Sequence, residues 1–214
     1  MRIFAYATHS GGRLGTLMEL LEVELLPIGG EWTGDFYQKA KSFNSVIQDL
    51  PDDEIVVLVD AFDVLPANGC TKEKLDKALT DNFSMEKVVF NAEKNCFPNA
   101  SLAGRYPESP TPWRYLNAGA LAGKVSVLKH LYADVLEKIP GNMDQLQFSI
   151  AFLDGAPIEL DYGCKVFQTL FMESEGDLSY SKEGIKNNVT CTYPLIIHGN
   201  GMASMDKVYL HYES

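Results

Sequence analysis

Residues 54–64 read Glu54-Ile55-Val56-Val57-Leu58-Val59-Asp60-Ala61-Phe62-Asp63-Val64. The apolar run follows the turn formers Pro51-Asp52-Asp53 and has the pattern of a strand buried on both faces, which belongs inside a parallel or mixed sheet. It ends by delivering two carboxylates three residues apart. In open α/β sheets that edge is where ligands bind. Two acids so close repel unless a cation or a proton lies between them, and hard oxygen ligands suit Mg²⁺ or Mn²⁺. The plainer reading has Asp60 capping the next turn and Asp63 solvated. Phosphatases that form an aspartyl-phosphate separate their aspartates by one residue. The two intervening residues here count against that class, though not against every metal-assisted hydrolase.

Outward from this strand, helices and strands alternate. Residues 2–8 form a strand, Ser10-Gly11-Gly12 a turn, and Leu14, Leu17, Met18 and Leu21 one face of a helix. Helical patterns follow at 36–50, 71–79, 125–139 and 143–153, with strands at 87–92, 115–123, 158–161, 165–169 and 195–198. Prolines at 98, 107, 110 and 112 make 94–114 an irregular excursion over the sheet edge. The expectation is one domain over 1–214 with a Rossmann-related, mixed but mostly parallel sheet flanked by helices.

Composition narrows the function. The chain is 46% hydrophobic and 22% charged, the balance of a globular protein. A net charge of −11 argues against a nucleic-acid binder. A small anionic donor stays compatible, because a bound cation reverses the local field. The N-terminal apolar run is too short for a signal peptide and nothing reaches membrane-spanning length, so the expected location is cytoplasmic. Four scattered cysteines without a Cys-x-x-Cys pair read as reduced thiols. The sequons at Asn99 and Asn188 are of a kind that arises by chance.

Three further fragments carry polar residues in apolar surroundings. Pro194-Leu-Ile-Ile-His-Gly-Asn-Gly201 ends an apolar run on His198, and its glycines allow close backbone approach to a phosphate or sugar. A lone histidine there is more often a hydrogen-bonded structural residue, but as a third ligand it would favour Mn²⁺ over Mg²⁺. Tyr115-Leu-Asn-Ala-Gly-Ala-Leu-Ala-Gly123 is a strand of small residues in which Asn117 is the polar exception, read otherwise as a turn former. Asn142-Met-Asp-Gln-Leu-Gln-Phe148 places Asp144 at a helix start, where capping alone would justify it.

In order and spacing, these fragments resemble the glycosyltransferase domain of the procollagen lysyl hydroxylases and collagen glycosyltransferases. The likeness runs through Ala7-Thr8, Glu31-Trp32, Gln38-Lys39, Val59 to Val64, Phe90-Asn-Ala-Glu-Lys-Asn-Cys-Phe-Pro98, Arg105-Tyr-Pro-Glu108, Leu116-Asn-Ala-Gly119, Asp144-Gln-Leu146, Leu160-Asp161, Phe167-Gln168 and His198-Gly-Asn-Gly201. The acidic motif, Asn-Ala-Gly, Asp-Gln and the late His-Gly also look like the glycogenin type of retaining transferase. A compact form is similar to transferases encoded by large algal viruses.

The resemblance implies a GT-A fold and a cation held by Asp60, Asp63 and His198 that bridges the diphosphate of a UDP-sugar. It implies that Ala7, Thr8 and the ring of Phe62 or Trp32 contact the uridine and that Lys39 approaches the phosphates or sugar. Asn117, Asp144 and Gln145 would surround the transferred sugar, with Gly199, Asn200 and Gly201 against the diphosphate. This chain departs from the collagen enzymes in having Phe62 in place of a tyrosine, Asn142-Met143-Asp144 in place of a run of aspartates, and Ser204 in place of a lysine, for which Lys207 is the nearest substitute. Those changes bear on the sugar and acceptor. The reading is therefore a Mn²⁺- or Mg²⁺-dependent transferase that moves a hexose or deoxyhexose from a UDP-sugar, with UDP-glucose the leading candidate, to a carbohydrate or glycoprotein hydroxyl with retention. It is compatible with one domain of a longer polypeptide. The competing readings are a nucleotide-sugar-binding module and a UDP-sugar hydrolase.

Overall fold

The computed structural model describes residues 1–9, 14–26, 35–138 and 143–213. The expected Ser10-Gly11-Gly12 turn, Trp32, Asn142 and the end of the helix expected to reach 139 lie outside these. β1 (Arg2–Tyr6) is followed by α1 (Leu14–Leu21), β2 (Glu24–Leu25), α2 (Tyr37–Ile47), β3 (Ile55–Asp60), β4 (Val64–Pro66), α3 (Lys72–Asn82) and β5 (Val88–Glu93). Then come β6 (Tyr115–Lys124), α4 (Val125–Lys138), α5 (Asp144–Leu153), β7 (Ile158–Leu160), β8 (Phe167–Thr169), β9 (Leu178–Ser181), β10 (Gly184–Asn187), β11 (Ile196–His198) and α6 (Asp206–Glu213).

The main sheet has the order β2-β1-β3-β6-β5-β7. All its neighbours are parallel except where β6 lies antiparallel to β3 and β5. As the patterning anticipates, β3 is buried through Val56, Val57, Leu58 and Val59. Alternation splits its two faces between two cores: Val56 and Leu58 pack with Phe43, Phe90 and Tyr132, and Val57 and Val59 with Leu17, Leu75 and Phe167. α3 starts where Thr71 accepts a hydrogen bond from the Lys74 N–H, a capping contact that satisfies one orphan donor of the first turn.

A second sheet of order β4-β11-β8 crosses the end of the first and fixes the site. Its strands are three residues each, too short for a period to show in sequence. β8 is launched by Asp161, whose buried carboxylate accepts the N–H groups of Lys165, Val166 and Phe167. The 94–114 excursion contains a short 3₁₀ helix, Ala100–Arg105, capped by Asn99. None of the described helices is long and apolar enough to cross a membrane.

Candidate functional site

Strand β6 lies antiparallel to β3 and β5, so its first residues stand beside the last residues of both neighbours. Val59 pairs with Ala120, which sets Asp60 beside Gly119. β4 begins one residue after Asp63 and pairs with β11 so that Val64 stands opposite His198, and the Gly199 N–H donates to the Asp63 carbonyl at 2.7 Å. The short second sheet thus brings His198 to the acidic turn. Nε2 of His198 lies 3.7 Å from Asp60 Oδ2 and 3.3 Å from Asp63 Oδ2. One ligand atom from each of the three residues falls within 4.8 Å of the others.

This donor set fits a divalent cation such as Mn²⁺ or Mg²⁺: two carboxylate oxygens and one imidazole nitrogen converge, and the ring's other nitrogen is already engaged. Nδ1 of His198 faces Asn117 Oδ1 at 3.0 Å. That outer contact orients the ring and is typical of metal-bound histidines. Without a cation His198 and Asp63 shift each other's titration. Burial pushes His198 down, but Asp63, Asp60 and Glu93 outweigh it and raise its pKa. Burial likewise pushes Asp63 up, but hydrogen bonding to His198 prevails and lowers it. Gly119 makes the convergence possible. A Cβ there would stand 2.0 Å from His198 Cε1 and 2.7 Å from Asp60 Oδ2.

Lys39, only 6% exposed, joins the Asp60–Asp63–His198 cluster to Asp144. Its Nζ lies 2.9 Å from Asp60 Oδ1 and 2.9 Å from Asp144 Oδ2, and reaches the Ala118 carbonyl at 3.4 Å. Burial opposes its charge, yet the two carboxylates hold the ammonium well above the usual lysine range. Asp60 therefore offers one oxygen to lysine and the other to the histidine side.

Beneath these groups lies Glu93, a buried carboxylate that motif reasoning quotes but gives no role. Its Oε1 accepts from Asn117 Nδ2 at 3.1 Å and Gln145 Nε2 at 2.7 Å, and its Oε2 accepts from Asn200 Nδ2 at 3.0 Å. Burial raises its pKa to about 7 despite those donors. One acid thus ties together the Asn-Ala-Gly, Asp-Gln and His-Gly-Asn-Gly segments. The sequence signal was Glu93 itself, an acid at the end of the apolar run 88–92, a pattern already seen at Asp60.

Two cavities meet at this junction. One, of about 360 Å³, is lined deep down by Lys39, Glu93, Asn117, Asp144 and Gln145. The other, of about 460 Å³, is lined by Tyr6, Thr8, His9, Phe62, Gly199 and Met202. Phe36, Lys39, Asp60 and Asp63 border both. Of the residues expected to meet a nucleoside, Thr8 and Phe62 line the second cavity, and Ala7 is buried in the core behind them. His9, which sequence reasoning did not single out, stacks on Phe62 with ring centroids 4.4 Å apart. Gly199 borders the second cavity, Asn200 and Gly201 the first. Gly201 sits at φ 61°, where an added Cβ would stand 2.7 Å from the Phe171 ring. Besides donating to Glu93, Asn200 accepts the Leu170 and Phe171 N–H groups on Oδ1, so both lone pairs of its amide oxygen are engaged within the protein. Lys207 lines a separate hollow with Glu173 and Tyr180 and borders neither of the two cavities.

A mixed sheet with an acidic site at the ends of its parallel strands, closed by a short second sheet, is the GT-A glycosyltransferase architecture. The chain belongs to the PLOD GT domain family, whose model matches residues 18–212. It is 36% identical over 174 residues to a mimivirus protein of Acanthamoeba polyphaga mimivirus, covering 78% of this chain and 35% of that one. It is 28% identical over 231 residues to the multifunctional procollagen lysine hydroxylase and glycosyltransferase of Caenorhabditis elegans, covering 97% and 31%. The chain spans about a third of the length of these relatives. Its fold is similar to that of a glycosyltransferase involved in glycosylation of the major capsid of PBCV-1, with a TM-score of 0.56 at 11% identity, covering 100% of this chain and 98% of that one.

Proposed function

We propose that this glycosyltransferase domain transfers a hexose, with glucose as the leading candidate, from a UDP-sugar to an acceptor hydroxyl with retention, using a divalent cation, preferentially Mn²⁺, and acting as one unit of a longer polypeptide. The observation that carries the reading is the convergence of Asp60, Asp63 and His198 within 4.8 Å where an aromatic-lined cavity meets a polar one. A nucleoside fits the first, with Phe62 and His9 offering ring faces and Thr8 a hydroxyl. A pyranose fits the second, where Asp144 and Gln145 face the space a sugar would occupy.

Asp60, Asp63 and His198 would hold the divalent cation, which would supply neutralisation of charge on the departing diphosphate. The chain's own residues do the rest. Lys39 holds Asp60 and Asp144 in fixed register, so the sugar-facing carboxylate and the cation-facing one cannot drift apart. Gln145, held by Glu93 and the Ala118 N–H, positions the donor sugar. Among the described residues lining the polar cavity, no further carboxylate or histidine stands free to act as the base an inverting reaction needs, and that supports retention.

Calorimetry with UDP and Mn²⁺ tests the reading. Wild type should bind UDP only with the cation, Asp60→Ala and Asp63→Ala should lose that binding while staying folded, and His198→Ala should lose less. Undiminished binding in both aspartate variants would sink the cation site. UDP release from UDP-glucose that no sugar acceptor accelerates would point to a hydrolase. Proton NMR of the product linkage reads the anomeric outcome, and Asp144→Asn should lower turnover far more than UDP affinity.

A further inference from the structure

The polar cavity has a border that the nucleoside cavity does not share, formed by Asn95, Phe97, Met143 and Phe171. If the donor reaches across the shared border, an acceptor must come from this one. We propose that it is an acceptor subsite for the face of a neutral pyranose, with Phe97 and Phe171 as the apolar platform and the Asn95 amide as the polar contact. The inference rests on the transferase reading.

Four observations carry it. Phe97 is 50% exposed, although a ring of its size ordinarily seeks the core, and it stands where a ligand would cover it. Its backbone is nevertheless fixed, because the Phe97 carbonyl accepts from Gln145 Nε2 at 3.0 Å and its N–H donates to the Asn95 carbonyl at 3.0 Å. The platform is therefore in place before any ligand arrives, and little ordering cost remains to be met on binding.

The Phe171 side is tied down as well. The Phe171 N–H is held by Asn200 Oδ1 at 2.9 Å. The turn that follows is clamped by Lys94, whose Nζ donates to the Met172 carbonyl at 3.1 Å, pairs with Asp177 and lies 4.6 Å from the centre of the Trp113 ring. Lys94 is thus a positioning residue for Phe171. Finally, none of the four border residues is charged. Ring faces with a single amide match a molecule that has an apolar C–H face and a rim of hydroxyls, and they offer nothing to a charged peptide.

The test is saturation-transfer NMR with Mg²⁺ and UDP present, using methyl glucopyranosides, galactopyranosides and xylopyranosides and a serine- and threonine-containing peptide as probes. UDP affinity is measured separately by calorimetry. At least one glycoside should show saturation on its ring C–H protons and the peptide none. Phe97→Ala should reduce that signal at least fivefold, Phe97→Trp should keep it, and Lys94→Met should weaken it with rescue by Lys94→Arg, all at unchanged UDP affinity. UDP binding without any glycoside signal, or a signal that survives Phe97→Ala, would overturn the subsite. A wild type that ignores UDP but shows a glycoside signal dependent on Phe97 would instead overturn the donor reading and uphold the subsite.

Discussion

Asn117 Oδ1 accepts from His198 Nδ1 and from the Gly119 N–H, each at 3.0 Å, while the same amide gives its Nδ2 hydrogen to Glu93. These contacts leave one orientation for the amide. They place the proton of a neutral imidazole on Nδ1 and turn the Nε2 lone pair toward Asp60 and Asp63.

Asn117→Ala should therefore weaken cation binding without touching a ligand. Loss of an outer-shell partner of this kind costs roughly 10- to 100-fold in metal affinity. Titration of the variant with Mn²⁺ by calorimetry measures it, and an affinity equal to wild type would show that the ring needs no such guide.

Glu93 gives the apo protein a pH dependence whose sign is fixed. Its pKa rises from 4.5 toward about 7 on folding, because burial disfavours the ionised form. Its contribution to stability is complete below about pH 4.5 and is lost as the pH climbs through about 7. The shift corresponds to on the order of 3 kcal/mol. His198, whose pKa is also raised, adds loss of the same sign, so the comparison must be with Glu93→Gln. Chemical denaturation of both proteins between pH 5 and 8 should give a shallower decline in the variant, and parallel curves would contradict the assignment.

Lys39→Met should leave two carboxylates, Asp60 and Asp144, without the charge between them. Removing one partner of a buried ion pair costs about 3–5 kcal/mol. Part of that loss should return on adding Mn²⁺, since a cation bound beside Asp60 offsets the exposed negative charge. Thermal unfolding with and without Mn²⁺ reads both effects. A variant as stable as wild type without metal would show that Lys39 does not hold these two acids together.

The main sheet was legible where its strands are long enough to show a pattern: the uninterrupted run 54–59 and the small-residue strand at 115–123 each read correctly to within one or two residues, whereas the two-residue edge strand β2 was missed. The second sheet was only partly legible. β8 read as a short strand and β11 as an apolar run, but β4 hides directly behind the acidic turn, and the β9–β10 hairpin mixes serines, lysine and asparagine with few apolar positions. The polar C-terminal helix was likewise missed. At the site, Asp60, Asp63 and His198 could be named from motif order, and the structure brings them together. That Lys39 bridges Asp60 to Asp144, and that Glu93 gathers three amides, could not be. Those are contacts between residues 21 to 107 positions apart, and local patterning carries no record of them.

The pairing of β4 with β11 also imposes an order on synthesis. Asp60 and Asp63 leave the ribosome more than a hundred residues before His198, and until β11 arrives β4 lacks its partner strand and β8 its parallel neighbour. A nascent chain halted near residue 190 already carries both acids but has neither the imidazole nor the strand that fixes Asp63 through the Gly199 N–H. The proposed cation site is thereby withheld from chains that have not yet reached β11, and a growing polypeptide completes it only once His198 and Gly199 have been made.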